Sequence, residues 1–528
     1  MALTWMVQQG LFQKASLLAT ITSLWTSRNA LSRTASCRLP GKLCRGCASV
    51  VQRQAKERKL ARAQAAWSKE CFAGRQLTSR ISKAATASVL IALLDSAVDQ
   101  QGFNEYHAGA AFARLAQLKQ KNRLSREHLK GHVVLRLESR LLELISRGIL
   151  EARGAANTLW AVAVLGLTNT RLLRELVHVV SETSSNMKPQ ELANCVWALA
   201  CLKDSHPLVL QALPRILESL PQKIGGMKPQ ELSNCLWALA RLREDEDTAL
   251  MGVRCVAEQA ANLADFMGPQ DLSNCLWAAA QLCRQVDAPD ELRTALVPRL
   301  VTRLPRVVRR MIPQHLANCL WSSVYLQEVT LEVLQIVPVL AREIPGKAAR
   351  MNTQELSNCL WAAANLKDIS REVLSIVSSV SEGLSEASSC RKLLPQHLSN
   401  CLWASAQLKD GPSGREVLKA LPAILHSVPS VADMNPQEVA NCLWAAAHLQ
   451  NLCLLVLSSV PVLVERLFET LDGMKPQELS SCLMASARLE ATTPLVLRLT
   501  PLLADASNQV WPRSLRDGVE ALTFPRAR

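Results

Sequence analysis

Nine histidines and 17 cysteines are the side chains of this 528-residue chain that are best suited to bind a metal or to act as nucleophiles. The histidines are scattered, and they form neither an HExxH pair nor a Cys/His zinc pattern. Cys44 and Cys47 form a CxxC without a second pair, which is a weak zinc signal. No P-loop, GxGxxG or GxSxG motif occurs either. The sequence therefore predicts no catalytic residue, no metal and no cofactor.

A different set of side chains recurs at a fixed spacing, in copies of a motif such as PQELSNCLWALARL. The motif tryptophan, taken as position 0, occurs eight times, and a ninth copy has methionine there: Trp160, Trp197, Trp237, Trp277, Trp321, Trp361, Trp403, Trp444 and Met484. The steps between copies are 37, 40, 40, 44, 40, 42, 41 and 40 residues. Such a period is typical of stacked helical repeats. The predicted fold is all-α, a solenoid of about nine two-helix repeats.

Two further positions of the motif carry polar side chains that could bind a ligand. Position −3 is asparagine from the second to the eighth repeat: Asn194, Asn234, Asn274, Asn318, Asn358, Asn400 and Asn441. Position +4 varies while its neighbours repeat, and seven of its nine residues can hydrogen-bond or stack: Arg241, Gln281, Tyr325, Asn365, Gln407, His448 and Arg488. Helical-repeat RNA-binding proteins read one base per repeat with two or three side chains. We therefore expect position +4 to contact bases, supported by the asparagines.

Each of these positions also has a purely structural interpretation. Position +4 could be a solvated edge, and the asparagine amides could bond backbone at a helix junction, because a buried amide needs partners. The tryptophans could pack between adjacent repeats. The glutamine at position −7 could cap the start of its helix.

The flanks of the motif predict two helices in each repeat. A proline at position −8 suits the first turn of a helix, where no N–H is needed, and the acid two residues later suits the positive end of the helix dipole. The second helix often contains a proline that should kink it or end its first half: Pro214, Pro298, Pro338, Pro422, Pro461 and Pro501. At 100° per residue, positions −5, −2, +2 and +5 share one face of the first helix. Positions −7, −3, 0 and +4 share the other face.

The formal net charge of +15 is concentrated at the N-terminus. Residues 1–83 contain 15 lysines and arginines but only two acids, whereas the remaining residues contain 45 basic and 43 acidic side chains. The first 56 residues contain no acid, which is typical of a transit peptide for a mitochondrion or, as an alternative, a plastid. No run of 18 apolar residues occurs, so we expect no membrane span.

Four regions follow from these patterns. We assign residues 1–84 to a basic targeting or disordered segment and 85–150 to a helical lead-in or degenerate capping repeat. Residues 151–505 are the predicted solenoid, and 506–528 are a C-terminal cap or tail. The lead-in rests on AAFARLAQLK at 110–119, which matches the motif but lacks the tryptophan.

Units such as MKPQELSNCLWALARL and MNPQEVANCLWAAAHL resemble the octotricopeptide-type repeats of organelle proteins. They are also similar to the repeats of the FAST-kinase-like family and of the RNA-editing substrate-binding complex subunit six family. The resemblance covers about 154–500. It implies an α-solenoid that binds single-stranded organellar RNA in processing, stabilisation, editing or ribosomal RNA maturation, together with other proteins of an RNA-processing complex.

Two functional hypotheses remain open from the sequence. In the first, bases contact position +4 and phosphates contact basic residues near the repeat edges, such as Lys188, Lys228, Arg309, Arg310 and Lys475. In the second, the array is a protein-interaction scaffold of an organellar complex without direct RNA contact. The near balance of charge in the array favours the second hypothesis, and the variable polar column favours the first.

Overall fold

The computed structural model divides the chain into two compact units, Met1–Leu77 and Thr78–Arg528. It describes residues 74–243, 249–284, 288–390, 393–426 and 431–489. The predicted transit peptide up to residue 73, the Cys44–Cys47 motif and the predicted tail therefore lie outside the described residues.

The described part of the second unit is an all-α solenoid, as predicted, and no strand occurs in it. Between Ala87 and the first motif tryptophan, Trp160, the structure has four helices: α1 (Ala87–Ala97), α2 (Glu105–Gln120), α3 (Arg126–Lys130) and α4 (His132–Ser146). The motifs form the odd-numbered first helices: α5 (Ala152–Leu165), α7 (Pro189–Leu202), α9 (Pro229–Leu242), α11 (Pro269–Cys283), α13 (Pro313–Leu326), α15 (Thr353–Leu366), α17 (Pro395–Leu408), α19 (Pro436–Leu449) and α21 (Pro476–Leu489). The second helices lie between them: α6 (Thr170–Thr183), α8 (Leu213–Lys223), α10 (Ala249–Asn262), α12 (Val297–Arg303), α14 (Val337–Glu343), α16 (Val377–Cys390), α18 (Gly414–His426) and α20 (Val460–Thr470).

Each first helix packs against the first helices of the repeats before and after it, and α2 packs against α5 in the same way. Repeat 3, the repeat of Trp237 when Trp160 marks repeat 1, shows why the sequence favours this arrangement. Leu232, Cys235 and Leu239 are completely buried and form the core. Small residues such as Ser233 and Ala238 are also completely buried, because they lie where two neighbouring helices approach closely. No helix in the described residues is long and apolar enough to span a membrane.

The acid of the motif closes the first turn of its helix. The Glu231 carboxylate accepts a hydrogen bond from the backbone N–H of Lys228 at 2.9 Å. Glu438 and Asn435 repeat this bond, also at 2.9 Å. The glutamine at position −7 is exposed in every repeat that has it and makes no such bond in the described residues, so its interpretation as the cap is wrong. The acid satisfies an N–H group that the start of a helix leaves without an intrahelical partner.

We expect Glu231→Ala to lower the free energy of unfolding by about 1 kcal/mol, because it removes this cap. Urea unfolding measures the change, with Glu258→Ala as the control, since Glu258 is exposed on the second helix α10. Equal stability of the two variants would show that the cap contributes nothing.

The second helices are mostly two-part elements, as the prolines predict. Short 3₁₀ segments precede four of them: Pro207–Ala212 before α8, Leu331–Ile336 before α14, Arg371–Ile376 before α16 and Leu454–Ser459 before α20. The segment before α16 forms although α16 contains no proline. In α8, α12, α14 and α20 the proline is the second residue of the α-helix, where its missing N–H breaks no bond. Pro422 departs from the prediction, because α18 continues through it without a break. Pro501 lies outside the described residues.

Candidate nucleic-acid interface

Four positions of the motif lie together on one face of the first-helix layer, which we name the first-helix surface. It consists of positions −7, −3, 0 and +4 of the first helices. The glutamines at −7 are exposed, and the tryptophans and asparagines from the second to the eighth repeat are half-buried. The polar residues at +4 are also half-buried, except Arg488, which is exposed. The structure therefore brings all the predicted site residues to one surface.

The tryptophans of this surface form a ladder across adjacent repeats. The ring centroids of Trp197 and Trp237 are 6.4 Å apart, and those of Trp237 and Trp277 are 5.9 Å apart. Towards the C-terminus, Trp403 lies 6.5 Å from Trp361 and 6.3 Å from Trp444. The rings thus contact one another, which supports packing between repeats as their main role.

The asparagines at position −3 make no side-chain hydrogen bond within the part of the chain that the structure describes. This holds for all seven: Asn194, Asn234, Asn274, Asn318, Asn358, Asn400 and Asn441. The interpretation of these amides as a ladder that bonds backbone is therefore wrong for the described residues. Each amide is half-buried and carries two donors and an acceptor. The column presents hydrogen-bonding groups that the fold itself does not use.

Among the +4 residues of repeats 3 to 5, Arg241 and Tyr325 contact the preceding repeat, and Gln281 contacts a residue of its own repeat. Arg241 donates to Asp204 of the preceding repeat at 2.9 Å, and its guanidinium lies 5.4 Å from the ring centroid of Trp237. Gln281 accepts a hydrogen bond from Arg284 at 3.1 Å. The Arg284 guanidinium in turn lies 4.6 Å from the ring centroid of Tyr325 in the next repeat. These contacts hold the side chains at defined places, so position +4 is not an unconstrained edge here.

The +4 residues of the last four repeats differ in whether their side chains make hydrogen bonds. Asn365 donates to the carbonyl of Trp361 in its own helix at 2.8 Å, whereas Gln407 makes no side-chain hydrogen bond within the described residues. His448 Nδ1 donates to the Trp444 carbonyl at 2.8 Å, so its Nε2 accepts from Arg488. Burial lowers the pKa of His448, and the nearby Arg488 charge adds to this effect. The neutral ring fits this pair of bonds.

Position +7 also belongs to the site, although it was not among the predicted site positions. In repeats 2 and 4 its side chain contacts the +4 residue of the next repeat: Asp204 pairs with Arg241, and the Arg284 guanidinium lies over the Tyr325 ring. The signal was visible in the sequence. Position +7 is an acid in five repeats but arginine in the fourth: Asp204, Glu244, Arg284, Glu328, Asp368 and Asp410.

The two ends of the first helices border this surface with different charge. The N-terminal border carries exposed cations that form no ion pair in the described residues: Lys188, Lys228, Arg309, Arg310 and Lys475. At the C-terminal border, two lysines are already bonded to groups of the protein. Lys409 pairs with Asp410 at 3.0 Å, and Lys367 donates to the Gln407 carbonyl at 2.6 Å. A polyanion is therefore favoured along the N-terminal border, where the helix dipoles add positive potential.

The cysteines offer little nucleophilic chemistry. Those at position −2 are buried, and burial raises the pKa of Cys319 and Cys401 to about 12. The half-buried Cys201 and Cys283 have a pKa raised to about 11, again by burial. The described residues contain no group of three or more His, Cys, Asp or Glu that could hold a metal ion.

His315 and His397 replace the capping acid in repeats 5 and 7. Burial lowers the pKa of both imidazoles. The unfolded chain therefore binds protons more readily than the folded chain below a pH of about 6.5, the ordinary histidine pKa. The stability that these residues contribute is present above that pH and is lost on acidification.

We expect the wild-type chain to lose more free energy of unfolding between pH 7 and pH 5 than a His315→Gln/His397→Gln variant. Urea unfolding at both pH values measures the difference. The control is His178→Gln, since His178 is exposed on the second helix α6. If the double variant kept the full wild-type pH dependence, these two histidines would not be its source.

Comparisons with known proteins identify no family for this chain. No protein-family model matches it, and no curated protein matches it. One similar structure is a homology model of the full-length AP-3 complex in an intermediate open conformation, at 10% identity and a TM-score of 0.30, covering 96% of this chain and 99% of that one. Another is a circular tandem repeat protein with novel repeat topology and enhanced subunit contact surfaces, at 13% identity and a TM-score of 0.19, covering 85% of this chain and 98% of that one. Neither likeness bears on function at these TM-scores.

Proposed function

We propose that the first-helix surface binds single-stranded RNA in a mitochondrion, or alternatively a plastid, without catalysing a reaction. The role would be in RNA processing, stability, editing or ribosomal RNA maturation. The observation that carries the proposal is the asparagine column. Seven half-buried amides in consecutive repeats make no side-chain hydrogen bond in the described residues, although each has donors and an acceptor to offer.

The charge distribution supports one orientation of the strand. Phosphates would lie along the N-terminal border, where exposed cations such as Lys188 and Lys228 form no ion pair in the described residues. Bases would point towards the C-terminal half of the first helices. The helical rise of 1.5 Å places position −3 about 9 Å from position −9 along the axis and about 10 Å from position +4. A strand over the asparagines is thus close to both the cations and the variable column.

The tryptophans would have an indirect part in binding. Because the rings of Trp361, Trp403 and Trp444 contact one another in sequence, they hold the first helices in register. The amides then recur once per repeat along the surface. A rigid array of this kind reduces the ordering that RNA binding would otherwise require of the protein.

Crosslinking of the tagged protein to RNA in purified organelles, followed by sequencing, tests the proposal. We expect discrete footprints of about eight or nine nucleotides on organelle transcripts, as one base per repeat requires. A variant with Lys188, Lys228 and Lys475 changed to alanine should keep the same sites with lower recovery, because phosphate contacts affect all sequences alike. Crosslinks no better than those of an untagged control would contradict the proposal.

A protein scaffold is the second candidate, and one surface favours it. The last described second helix and the 3₁₀ segment before it expose several apolar side chains: Leu454, Leu455, Val462 and Phe468. Such a patch is typical of a protein-binding site. Stable protein partners recovered together with no RNA crosslink would favour this function over RNA binding.

A further inference from the structure

The junction between repeats 4 and 5 differs from the neighbouring junctions of the first-helix surface. The tryptophan ladder is interrupted there: Trp277 and Trp321 are both described, and they make no ring contact with each other. At the same junction, position +7 is Arg284, whereas the next repeats have the acids Glu328 and Asp368. This junction therefore combines a missing contact between motif tryptophans with a cation at position +7, whereas at the next junction Tyr325 bridges Trp321 and Trp361.

The Arg284 side chain is held in a fixed position by two contacts. One N–H group donates to the Gln281 side-chain oxygen at 3.1 Å, and the guanidinium lies 4.6 Å from the ring centroid of Tyr325. Arg284 is exposed and forms no ion pair within the described residues. A guanidinium has five N–H donors, so four remain available to a ligand.

Tyr325 is itself a rigid support. Its ring centroid lies 4.6 Å from that of Trp321 and 5.6 Å from that of Trp361, so the phenol is fixed between two tryptophans. The neighbouring arginine at position +4, Arg241, is different because its guanidinium is paired with Asp204 at 2.9 Å. Within the described residues, Arg284 therefore presents a positioned fork of donors without an ion-pair partner, whereas Arg241 is paired.

We propose that Gln281, Arg284 and Tyr325 form a guanine-binding site at the repeat 4–repeat 5 junction. The inference rests on the proposed function, in which RNA lies along the first-helix surface. Guanine presents two adjacent acceptors, O6 and N7, which match the two parallel N–H groups of an arginine. Adenine places an amino donor beside N7, and uracil places an N–H between its two carbonyl acceptors, so the same fork discriminates against both. Cytosine has adjacent O2 and N3 acceptors and is the competing base, which the affinity comparison at each position distinguishes from guanine.

Selection of RNA from a random single-stranded library by the purified full-length chain tests the site. Fluorescence anisotropy then measures the Kd of the selected RNA and of its three single-base variants at each position. We expect one position at which guanine is preferred by roughly tenfold, within the range of a bidentate base contact. Arg284→Lys should abolish that preference, because lysine keeps the charge but lacks the fork.

Three further variants separate recognition of the base from general effects on binding. Arg299→Lys makes the same change at an exposed arginine of the second helix α12 and should keep the guanine preference. Tyr325→Phe keeps the ring that supports Arg284 and should also keep it, while Tyr325→Ala should lose it. All variants are compared at equal folded fraction, measured by circular dichroism.

The outcomes distinguish this inference from the proposed function. If Arg284→Lys weakens all four RNAs equally, Arg284 contacts a phosphate and the guanine site is overturned, while RNA binding stands. The guanine site is also overturned, while RNA binding stands, if the wild type binds RNA but shows no guanine-preferring position that depends on Arg284. If the wild type binds no RNA above a heparin competitor, both the guanine site and the proposed function fail.

Discussion

Replacing four asparagines of the first-helix surface with alanine should weaken RNA binding by at least about 100-fold while leaving the fold intact. The four are Asn234, Asn274, Asn318 and Asn358. Each lost hydrogen bond is worth about 1 kcal/mol, and a tenfold change in affinity corresponds to about 1.4 kcal/mol, so four such bonds account for an effect of this size. Fluorescence anisotropy with the selected RNA measures the affinity.

Stability should not fall in this variant. The four amides make no side-chain hydrogen bond in the described residues, and alanine is a better helix former than asparagine. The matched control replaces four exposed amides of the second-helix layer with alanine: Gln211, Gln222, Asn262 and Gln335. We expect the control to bind RNA within about twofold of wild type, since these residues lie off the binding surface. A loss of several kcal/mol of stability at unchanged affinity would instead give the asparagines a structural role.

Trp403→Ala should destabilise the solenoid by about 2–4 kcal/mol, because it removes a large aromatic side chain that packs on both sides. The ring centroid of Trp403 lies 6.5 Å from that of Trp361 and 6.3 Å from that of Trp444. Urea unfolding monitored by circular dichroism measures the change. The effect should be among the largest for a half-buried residue of the array.

Trp403→Met is the matched variant, because the ninth repeat already carries Met484 at this position. Methionine is long and flexible enough to keep part of the packing, so we expect a smaller loss of stability. RNA affinity should stay close to wild type for this variant under conditions in which it is folded. If Trp403→Ala kept full stability and lost only RNA affinity, the tryptophans would be base-stacking platforms and not packing residues.

The repeat pattern is sufficient to predict much of this fold. The period locates the first helices, and the leucine and cysteine columns identify the buried face, because residues such as Leu232 and Cys235 recur at helical spacing. The proline at position −8 marks where most of these helices begin. Pro422 shows the limit, since α18 continues through it where a break was expected. Whether a proline ends its helix depends on contacts with neighbouring helices, and the sequence pattern of one helix does not show those contacts.

The candidate site was only partly predictable, for a physical reason. Composition shows that Asn234 can hydrogen-bond, but only the arrangement of neighbouring groups shows whether the fold already uses the amide. Contacts between repeats are equally hidden, since Arg284 and Tyr325 are 41 residues apart in sequence and meet only in the folded solenoid. The sequence alone marks Tyr325 as a variable +4 residue and Arg284 as a change from acid to arginine at +7, but it does not show that the two side chains meet.

The central claim, that the first-helix surface binds RNA, is tested most directly by mapping where RNA touches the protein. RNA containing 4-thiouridine is crosslinked to the purified full-length chain, and the modified peptides are identified by mass spectrometry. We predict adducts on the first helices, within peptides that contain Asn234, Asn318 or Gln407, and their loss in the four-asparagine variant. Adducts confined to the second helices or to residues 1–83 would contradict the claim, because RNA would then bind elsewhere on the chain.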